Sequence, residues 1–349
     1  MNYVRNAWYV AAWSHDLKPG EPLSIHILDE PIVLWRNDAG ILSALQDRCV
    51  HRLAPLSLGR CEGDKLRCMY HGMLYNREGV VVEIPGQDMI SDRAKVRAYP
   101  IAERHSWVWI WMGDPAGADE ALIPPAMGLD DPHHILGHGQ LDYAAEARLI
   151  NDNLLDFSHL SYVHAGSFGS SETWARTRPT IKPLERGVRI GQWIEGELAP
   201  GEPEGGKRTD NYNCYDYLIP GVLLMAFGSF PAGTAARLGG KVPDLADAEG
   251  IRTFSCQAVT PMTAKTSRYF FSMGPHRDYG DEAVRDMILG VTLQAFEEDR
   301  AMIEAQQRVI DVSPDIPFMP NSSDRATTLF TGLEKKLSRE EGGQLRKAS

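Results

Sequence analysis

Four residues able to bind a soft or borderline metal fall in two tight groups. The first is Cys49-Val50-His51; sixteen residues later comes Cys68-Met69-Tyr70-His71-Gly72. Thiolates suit soft or borderline metals, and neutral imidazole suits zinc, iron or copper. Two arrangements compete. A structural zinc takes two Cys and two His on one tetrahedral ion, whereas a [2Fe–2S] centre of mixed ligation takes two thiolates on one iron and two imidazoles on the other. The second arrangement needs each loop to give one ligand to each iron, hence Cys-x-His in one and Cys-x-x-His in the other. Zinc sites more often pair Cys with Cys and His with His. Order and spacing therefore favour the cluster. Gly72, after the last His, and Pro85-Gly86 on a later loop let backbone come close to inorganic sulfides.

The second dense stretch runs from Ile150 to His164 and holds Asn151, Asp152, Asn153, Asp156, His159 and His164. Asp156 and His159 are three apart and share a face on a helix. His159 and His164 are five apart, about 140° around a regular helix. Both reach one metal only if the helix distorts or ends between them; otherwise this is a capped surface helix with two ordinary histidines. If both bind iron, one carboxylate more completes a facial triad with positions left open for dioxygen. The last long helix offers Glu297, Glu298, Asp299 and Glu304, and spacing alone does not select among them. Asp299 lies four residues after Ala295 and eight after Val291, on the apolar side, where an acid needs a partner.

The elements that would position these groups divide the chain. Residues 1 to about 115 read as all-β: Ile32–Arg36, Ile41–Leu45 and Trp107–Trp111 are short runs rich in β-branched and aromatic residues. Asn37–Gly40 and Asn76–Gly79 are turn sequences beside such runs. Pro and Gly crowd residues 114–134, which have linker composition. Beyond them Ala144 to about Ala165 reads as helical and Thr180 to about Met273 as strand-rich, with loops at Pro200–Lys207 and Gly239–Gly250. Gly280 to about Val309 reads as a long helix with Met287, Ile288, Val291, Ala295, Met302 and Ile303 as its apolar stripe. The tail from Ser338 reads as polar and frayed.

A chain of 349 residues, 43% apolar and 24% charged, has the length for two domains. Its formal charge of −11 argues against nucleic acid or an anionic membrane surface as a partner. Five cysteines are no secreted disulfide framework; Cys61, Cys214 and Cys256 read as bystanders. Tyr217–Ala236 is uncharged over twenty residues, but Pro220, Gly221, Gly228, Pro231 and Gly233 make it one or two buried strands with turns. No signal peptide and no membrane span are expected, so the cytoplasm is the expected compartment.

Cys-x-His followed by Cys-x-x-His, then Asn153-x-x-Asp156-x-x-His159-x4-His164, resembles the double signature of Rieske non-haem iron oxygenase α-subunits. Arg5–Ala12, Ala54–Ser57 and Trp109–Pro115 resemble the vanillate O-demethylase branch, which also holds dicamba O-demethylase and toluenesulfonate methyl-monooxygenase. Glu297–Glu304 looks most like the last of these. The resemblance implies an α+β protein, with an N-terminal all-β Rieske [2Fe–2S] domain over 1–118. A helix-grip catalytic domain, a curved antiparallel sheet around a long helix, would cover 119–349. It places the cluster on Cys49, His51, Cys68 and His71, and mononuclear Fe(II) on His159, His164 and Asp299. Asn153 and Asp156 join the catalytic set, Asp156 as the acidic bridge to a neighbouring subunit's cluster. It further implies a homotrimer, and a separate flavin and iron–sulfur reductase through which NAD(P)H acts indirectly.

The implied reaction inserts oxygen from O2 into the O-methyl group of a small aromatic acid and releases formaldehyde. Methyl hydroxylation of an aromatic sulfonate or carboxylate is the neighbouring alternative. Arg148, Arg237, Arg252 and Arg268 are candidate partners for the acid group. Leu218 and Gln257 fall near positions where the dicamba enzyme uses polar side chains, and Leu223, Leu224 and Phe227 are candidate pocket walls.

Overall fold

The computed structural model describes residues 3–348 apart from 169, 170, 200–202 and 204. The chain clusters into two compact units, Met1–Gly128 with Thr260–Lys265, and Leu129–Val259 with Thr266–Ser349.

Unit 1 is built from short antiparallel strands. In chain order these are β1 (Trp8–Trp13), β2 (Leu23–Ile27), β3 (Glu30–Arg36), β4 (Leu42–Gln46), β5 (Arg60–Glu62), β6 (Lys65–Arg67), β7 (Leu74–Tyr75), β8 (Val81–Glu83), β9 (Ile101–Arg104) and β10 (Trp107–Trp111). They form three sheets of order β1-β10-β9, β2-β3-β4 and β5-β6-β7-β8. Trp35, Trp107, Trp109, Trp111 and Tyr9 are fully buried, so aromatic area dominates this core. The Asn37 turn closes as read: Ile41 N donates to Asn37 Oδ1 at 2.8 Å, and Gly40 takes φ +82°.

The proline-rich stretch after Trp111 packs onto unit 1 instead of running free. Trp111 Nε1 donates to Asp114 O at 2.9 Å and Trp8 Nε1 to Asp119 O at 2.8 Å. Ile123 and Ala126 are buried. Indole donors and two buried side chains tie down a segment whose composition alone reads as linker.

Unit 2 carries strands β11 (Gly137–Tyr143), β12 (Thr180–Leu184), β13 (Gly187–Leu198), β14 (Arg208–Leu218), β15 (Val222–Pro231), β16 (Arg252–Thr263) and β17 (Thr266–Pro275). They make one seven-stranded sheet of order β11-β17-β16-β15-β14-β13-β12. The uncharged run from Tyr217 is strand β15 with the turn before it, and among the described residues no helix is long and apolar enough to cross a membrane. Of the loop expected at 200–207, residues 200–202 and 204 lie outside the described residues.

The helices are α1 (Ala147–Leu155), α2 (Leu160–Val163), α3 (Thr173–Arg176), α4 (Thr234–Arg237), α5 (Glu282–Val312) and α6 (Arg325–Ala348). Asp281 starts α5 by accepting from Val284 N at 3.0 Å. On α5, Phe296 packs edge-on to Phe271 and Tyr269 of β17, at 4.9 and 5.0 Å between ring centroids. Burying such a ring is worth about 2 kcal/mol.

Two expectations need correction. The inward stripe of α5 is Thr292, Ala295, Phe296, Asp299, Ile303 and Gln307, while Met287, Val291 and Met302 are exposed. Polar residues hold inner positions where they find partners: Gln307 accepts from Glu146 N and Asp299 from Asn153 Nδ2, each at 3.0 Å. The tail from Ser338 continues α6 to Ala348; Lys, Arg, Glu and Leu there are good helix formers.

Candidate metal centres and cavity

In unit 1 the two ligand loops repeat one main-chain pattern. Cys49 N donates to Ala54 O at 2.8 Å and Leu53 N to Cys49 O at 2.9 Å; Cys68 N donates to Met73 O at 2.8 Å and Gly72 N to Cys68 O at 2.9 Å. Each loop turns on a positive φ at the fourth residue after the Cys, +57° at Leu53 and +78° at Gly72. At Gly72 a side chain is also excluded by contact, since a Cβ would meet Pro85 Cγ at 2.7 Å.

The thiols of Cys49 and Cys68 are buried as members of the hydrophobic core. His51 and His71 are exposed, with ring centroids 4.5 Å apart. Burial pushes the Cys68 thiol up; Tyr70 and His71 backbone donors pull it down, and the neighbouring Cys49 thiol adds to the rise. Tyr75, which no sequence motif marks, donates its hydroxyl to Cys49 Sγ at 3.2 Å and accepts from Val50 N at 3.0 Å.

Thiol beside thiol and imidazole beside imidazole suits two irons, each with its own ligand pair. A single tetrahedral ion would gather all four donors. Among the described residues, only His159, His164 and Asp299 bring three such donor atoms within 4.8 Å of one another.

That second group lies in unit 2. Helix α1 stops at Asp156, whose φ −135° and ψ 97° leave the helical region, and a 3-10 turn Phe157–His159 leads into α2. The break resolves the spacing problem and turns both imidazoles to one side, 5.3 Å apart. His159 Nε2 lies 3.6 Å and His164 Nε2 3.3 Å from Asp299 Oδ1. Metal–donor bonds of about 2.1 Å place neighbouring donors of an octahedral ion about 3 Å apart, so this set fits a first-row metal ion with little movement.

Both imidazoles are oriented from behind. His159 Nδ1 contacts Asp156 O at 2.6 Å, and because a carbonyl only accepts, Nδ1 carries the proton and Nε2 is free to bind. His164 Nδ1 contacts Glu298 Oε2 at 2.9 Å, with the same consequence. Glu298 also receives Ser167 Oγ at 2.7 Å. Sequence reading had Glu298 as one of four acids, but its place behind His164 depends on a helix distant in the chain.

Burial pushes the His159 imidazole below its ordinary pKa. Burial also opposes protonation of His164, but the Asp299 and Glu298 carboxylates outweigh it and raise that ring. Asn153 Nδ2 donates to Asp299 Oδ1 at 3.0 Å and lies 3.4 Å from His159 Nε2. The Asp156 side chain accepts from Ser158 N at 2.9 Å and from Ser323 Oγ at 2.6 Å, and the hydrogen bond to His159 comes from its main-chain carbonyl. Glu297 pairs with Arg300, and Glu304 accepts from Ala144 N at 2.9 Å, away from the imidazoles.

His159, His164 and Asp299 stand on the wall of a cavity of about 460 Å³. Phe157, Leu160, Phe168, Met225, Phe227 and Phe296 supply much of the apolar lining, and Asn211, Asn213, Ser229, Ser255 and Gln257 the polar part. Of the expected pocket residues, Phe227 and Gln257 line it; Leu218, Leu223 and Leu224 do not. None of the four candidate arginines lines it either. Arg268 is paired with Asp142 at 2.7 Å, and Arg148 with Asp152 at 3.5 Å.

Comparison with known proteins assigns both parts of the chain to a family. Residues 7–100 match the Rieske [2Fe-2S] domain, and residues 143–334 the vanillate O-demethylase oxygenase C-terminal domain. The chain is 39% identical to the toluene-4-sulfonate monooxygenase system iron-sulfur subunit of Comamonas testosteroni, over 98% of this chain and 99% of that one. It is 32% identical to the dicamba O-demethylase oxygenase component of Stenotrophomonas maltophilia, over 96% and 98%. The structure of dicamba monooxygenase bound to dicamba superposes with a TM-score of 0.83 at 28% identity, covering 98% of this chain and 99% of that one. A Rieske β-domain followed by a helix-grip domain, with a [2Fe–2S] cluster and a mononuclear non-haem iron as cofactors, defines the group. The chain belongs to the Rieske non-haem iron oxygenases, in the branch of the vanillate O-demethylase oxygenase subunits.

Proposed function

We propose that the chain is the oxygenase component of an O-demethylase acting on a small methoxylated aromatic acid. Electrons would come from NAD(P)H through a separate flavin and iron–sulfur reductase. One observation carries the reading: His159, His164 and Asp299 converge on the wall of a largely apolar, aromatic cavity of about 460 Å³.

On this reading Cys49 and Cys68 hold one iron of the cluster, His51 and His71 the other, and His159, His164 and Asp299 the mononuclear iron. The bound metals supply single-electron storage and dioxygen activation. The chain's own residues do the positioning. Asp156 O and Glu298 fix the tautomers of His159 and His164, and Asn153 steadies Asp299. Phe157, Phe168 and Phe296 keep water from the ring and hold an O-methyl carbon toward the triad. One oxygen atom enters a methyl C–H bond, and the other leaves as water with two electrons and two protons. The hemiacetal so formed collapses to formaldehyde and a phenol. The Asp156 side chain bridges to the cluster of a neighbouring copy in a homotrimer.

Hydroxylation of a ring methyl group is the second reading. Identity of 39% and 40% to two toluene-4-sulfonate subunits, against 32% to the demethylases, favours it. Reconstitution with a generic reductase and NADH, using methoxybenzoates, methoxyphenols and toluene-4-sulfonate, separates the two. Formaldehyde with one new phenol supports demethylation, and a benzylic alcohol without formaldehyde supports the second reading. NADH consumed with neither product from any compound would remove both.

A further inference from the structure

We propose that an acidic iron–sulfur protein, the electron donor, docks on a basic recess beside Cys49, on a side of the ligand loop that carries neither imidazole. The inference rests on the reading of a separate reductase and names where on this chain it binds.

The recess lies in unit 1, measures about 470 Å³, and has Arg48, Lys95 and Arg97 in its wall. No Asp or Glu is among the described residues that line it. Arg97 is built in: its Nη1 meets Glu30 Oε2 at 3.2 Å, and its Nη2 donates to Met112 O at 2.8 Å and to Gly113 O at 2.7 Å. Arg48 and Lys95 are different. Both are exposed, and among the described residues neither side chain holds an ion pair or a hydrogen bond. The acid beside Arg48 does not offset it, since buried Asp47 is occupied by Ser57 N at 2.7 Å and Ser24 Oγ at 3.0 Å. Two uncompensated cations thus share one concave wall of a chain whose formal charge is −11.

The recess is also part of the first ligand loop. Arg48 directly precedes Cys49, and Val50 and Leu53, 36% and 66% exposed, complete the wall. A donor docked there stands at the loop that carries a thiolate ligand. His51 and His71 are not in that wall. In a trimer whose Asp156 reaches the imidazoles from a neighbouring copy, the imidazole side belongs to the electron acceptor, so the donor needs another approach. Redox encounters are small and brief, and opposite charge speeds them. A negative chain repels an acidic partner over most of its surface and draws it to the spot where cations stand unpaired. One electron then leaves the donor's reduced [2Fe–2S] centre, and one iron of the cluster goes from ferric to ferrous.

The test uses the full-length, metal-loaded protein with an acidic plant-type [2Fe–2S] ferredoxin as probe. Two quantities are read: calorimetric affinity for the oxidised ferredoxin, and the stopped-flow rate at which the reduced one bleaches the cluster. Both should fall about ten-fold or more in Arg48→Glu/Lys95→Glu, and the difference should shrink with added salt. Arg48→Lys should keep both, and so should Arg339→Glu, a charge reversal at an exposed position of α6. Reduction by the methyl viologen radical, a small cation, should not slow in the double variant. No binding by the wild type, equal affinity in the double variant, or an equal fall in Arg339→Glu overturns the proposal. Slower reduction by the viologen does the same, because the defect then lies in the cluster. Cluster reduction indifferent to Arg48 and Lys95 removes the docking place and leaves the reductase reading standing, whereas no reduction by the ferredoxin removes both. Neither quantity needs turnover, so failure of demethylation appears separately, as absence of formaldehyde.

Discussion

Cys49 and Cys68 sit in two loops whose geometry is set by main-chain hydrogen bonds within six residues of each Cys, whereas His159, His164 and Asp299 are aimed by Asp156 at the end of α1, Glu298 of α5 and Asn153 of α1. The first site buries its sulfurs and exposes its imidazoles. The second buries His164 and Asp299 almost completely, at 1% and 5% exposure. A local loop can be specified by a few neighbouring residues, while a site assembled across a fold depends on every helix that carries it. An exposed imidazole pair suits electron exchange, and a buried triad facing a cavity suits chemistry from which water is excluded.

The sharpest way to break this contrast is to empty one site and watch the other. His159→Ala should abolish turnover and remove the mononuclear iron, while the visible absorption of the cluster stays. Cys68→Ser should bleach the cluster and leave the second iron in place. Loss of both centres in either variant would mean that the sites are not independent.

Next in size is the support behind His164. Glu298→Gln should weaken ferrous iron retention about 10- to 100-fold, measured by chelator competition. Unchanged retention would deny Glu298 its orienting role. In unit 1 the corresponding support is a hydrogen bond to sulfur: Tyr75→Phe should lower the reduction potential of the cluster with no loss of iron, because donors to the sulfurs favour the reduced state.

The smallest effect concerns the packing of α1 on α6. Burial pushes the Glu334 carboxyl up to about 8, and that of Asp152 up to about 6; Asp152 also raises Glu334, Glu146 and Asp324 raise Asp152, and Arg148 opposes both. For Glu334 the folded value lies above the ordinary 4.5, so the stability it contributes is full at low pH. It falls as pH rises from about 4.5 toward 8. Melting temperatures across that range should decline in the wild type and decline less in Glu334→Gln; equal slopes would contradict the assignment.

The same contrast explains what the sequence disclosed. Cys49, His51, Cys68 and His71 are legible because order and spacing are the motif. Gly40 and Gly79 mark their turns for the same local reason, each at positive φ. Asp299 needed more: four acids on α5 look alike until the opposing histidines are placed, and only the resemblance and its position after Ala295 singled it out. The role of Glu298 was hidden, since it exists only through His164. Thr292 and Gln307 depart from the expected α5 stripe because each is used on the buried face: Thr292 lines the cavity, and Gln307 accepts from Glu146 N at 3.0 Å. The arginine candidates failed for a related reason: sequence supplies cations but not their neighbours, and Arg268 is already taken by Asp142.

The most direct test of two separate metal centres is iron and acid-labile sulfide per chain, measured in the wild type and in His159→Ala. The wild type should give iron and sulfide in a ratio of about three to two, and the variant about one to one. Zinc in place of iron, iron without sulfide, or the same ratio in both proteins would contradict it.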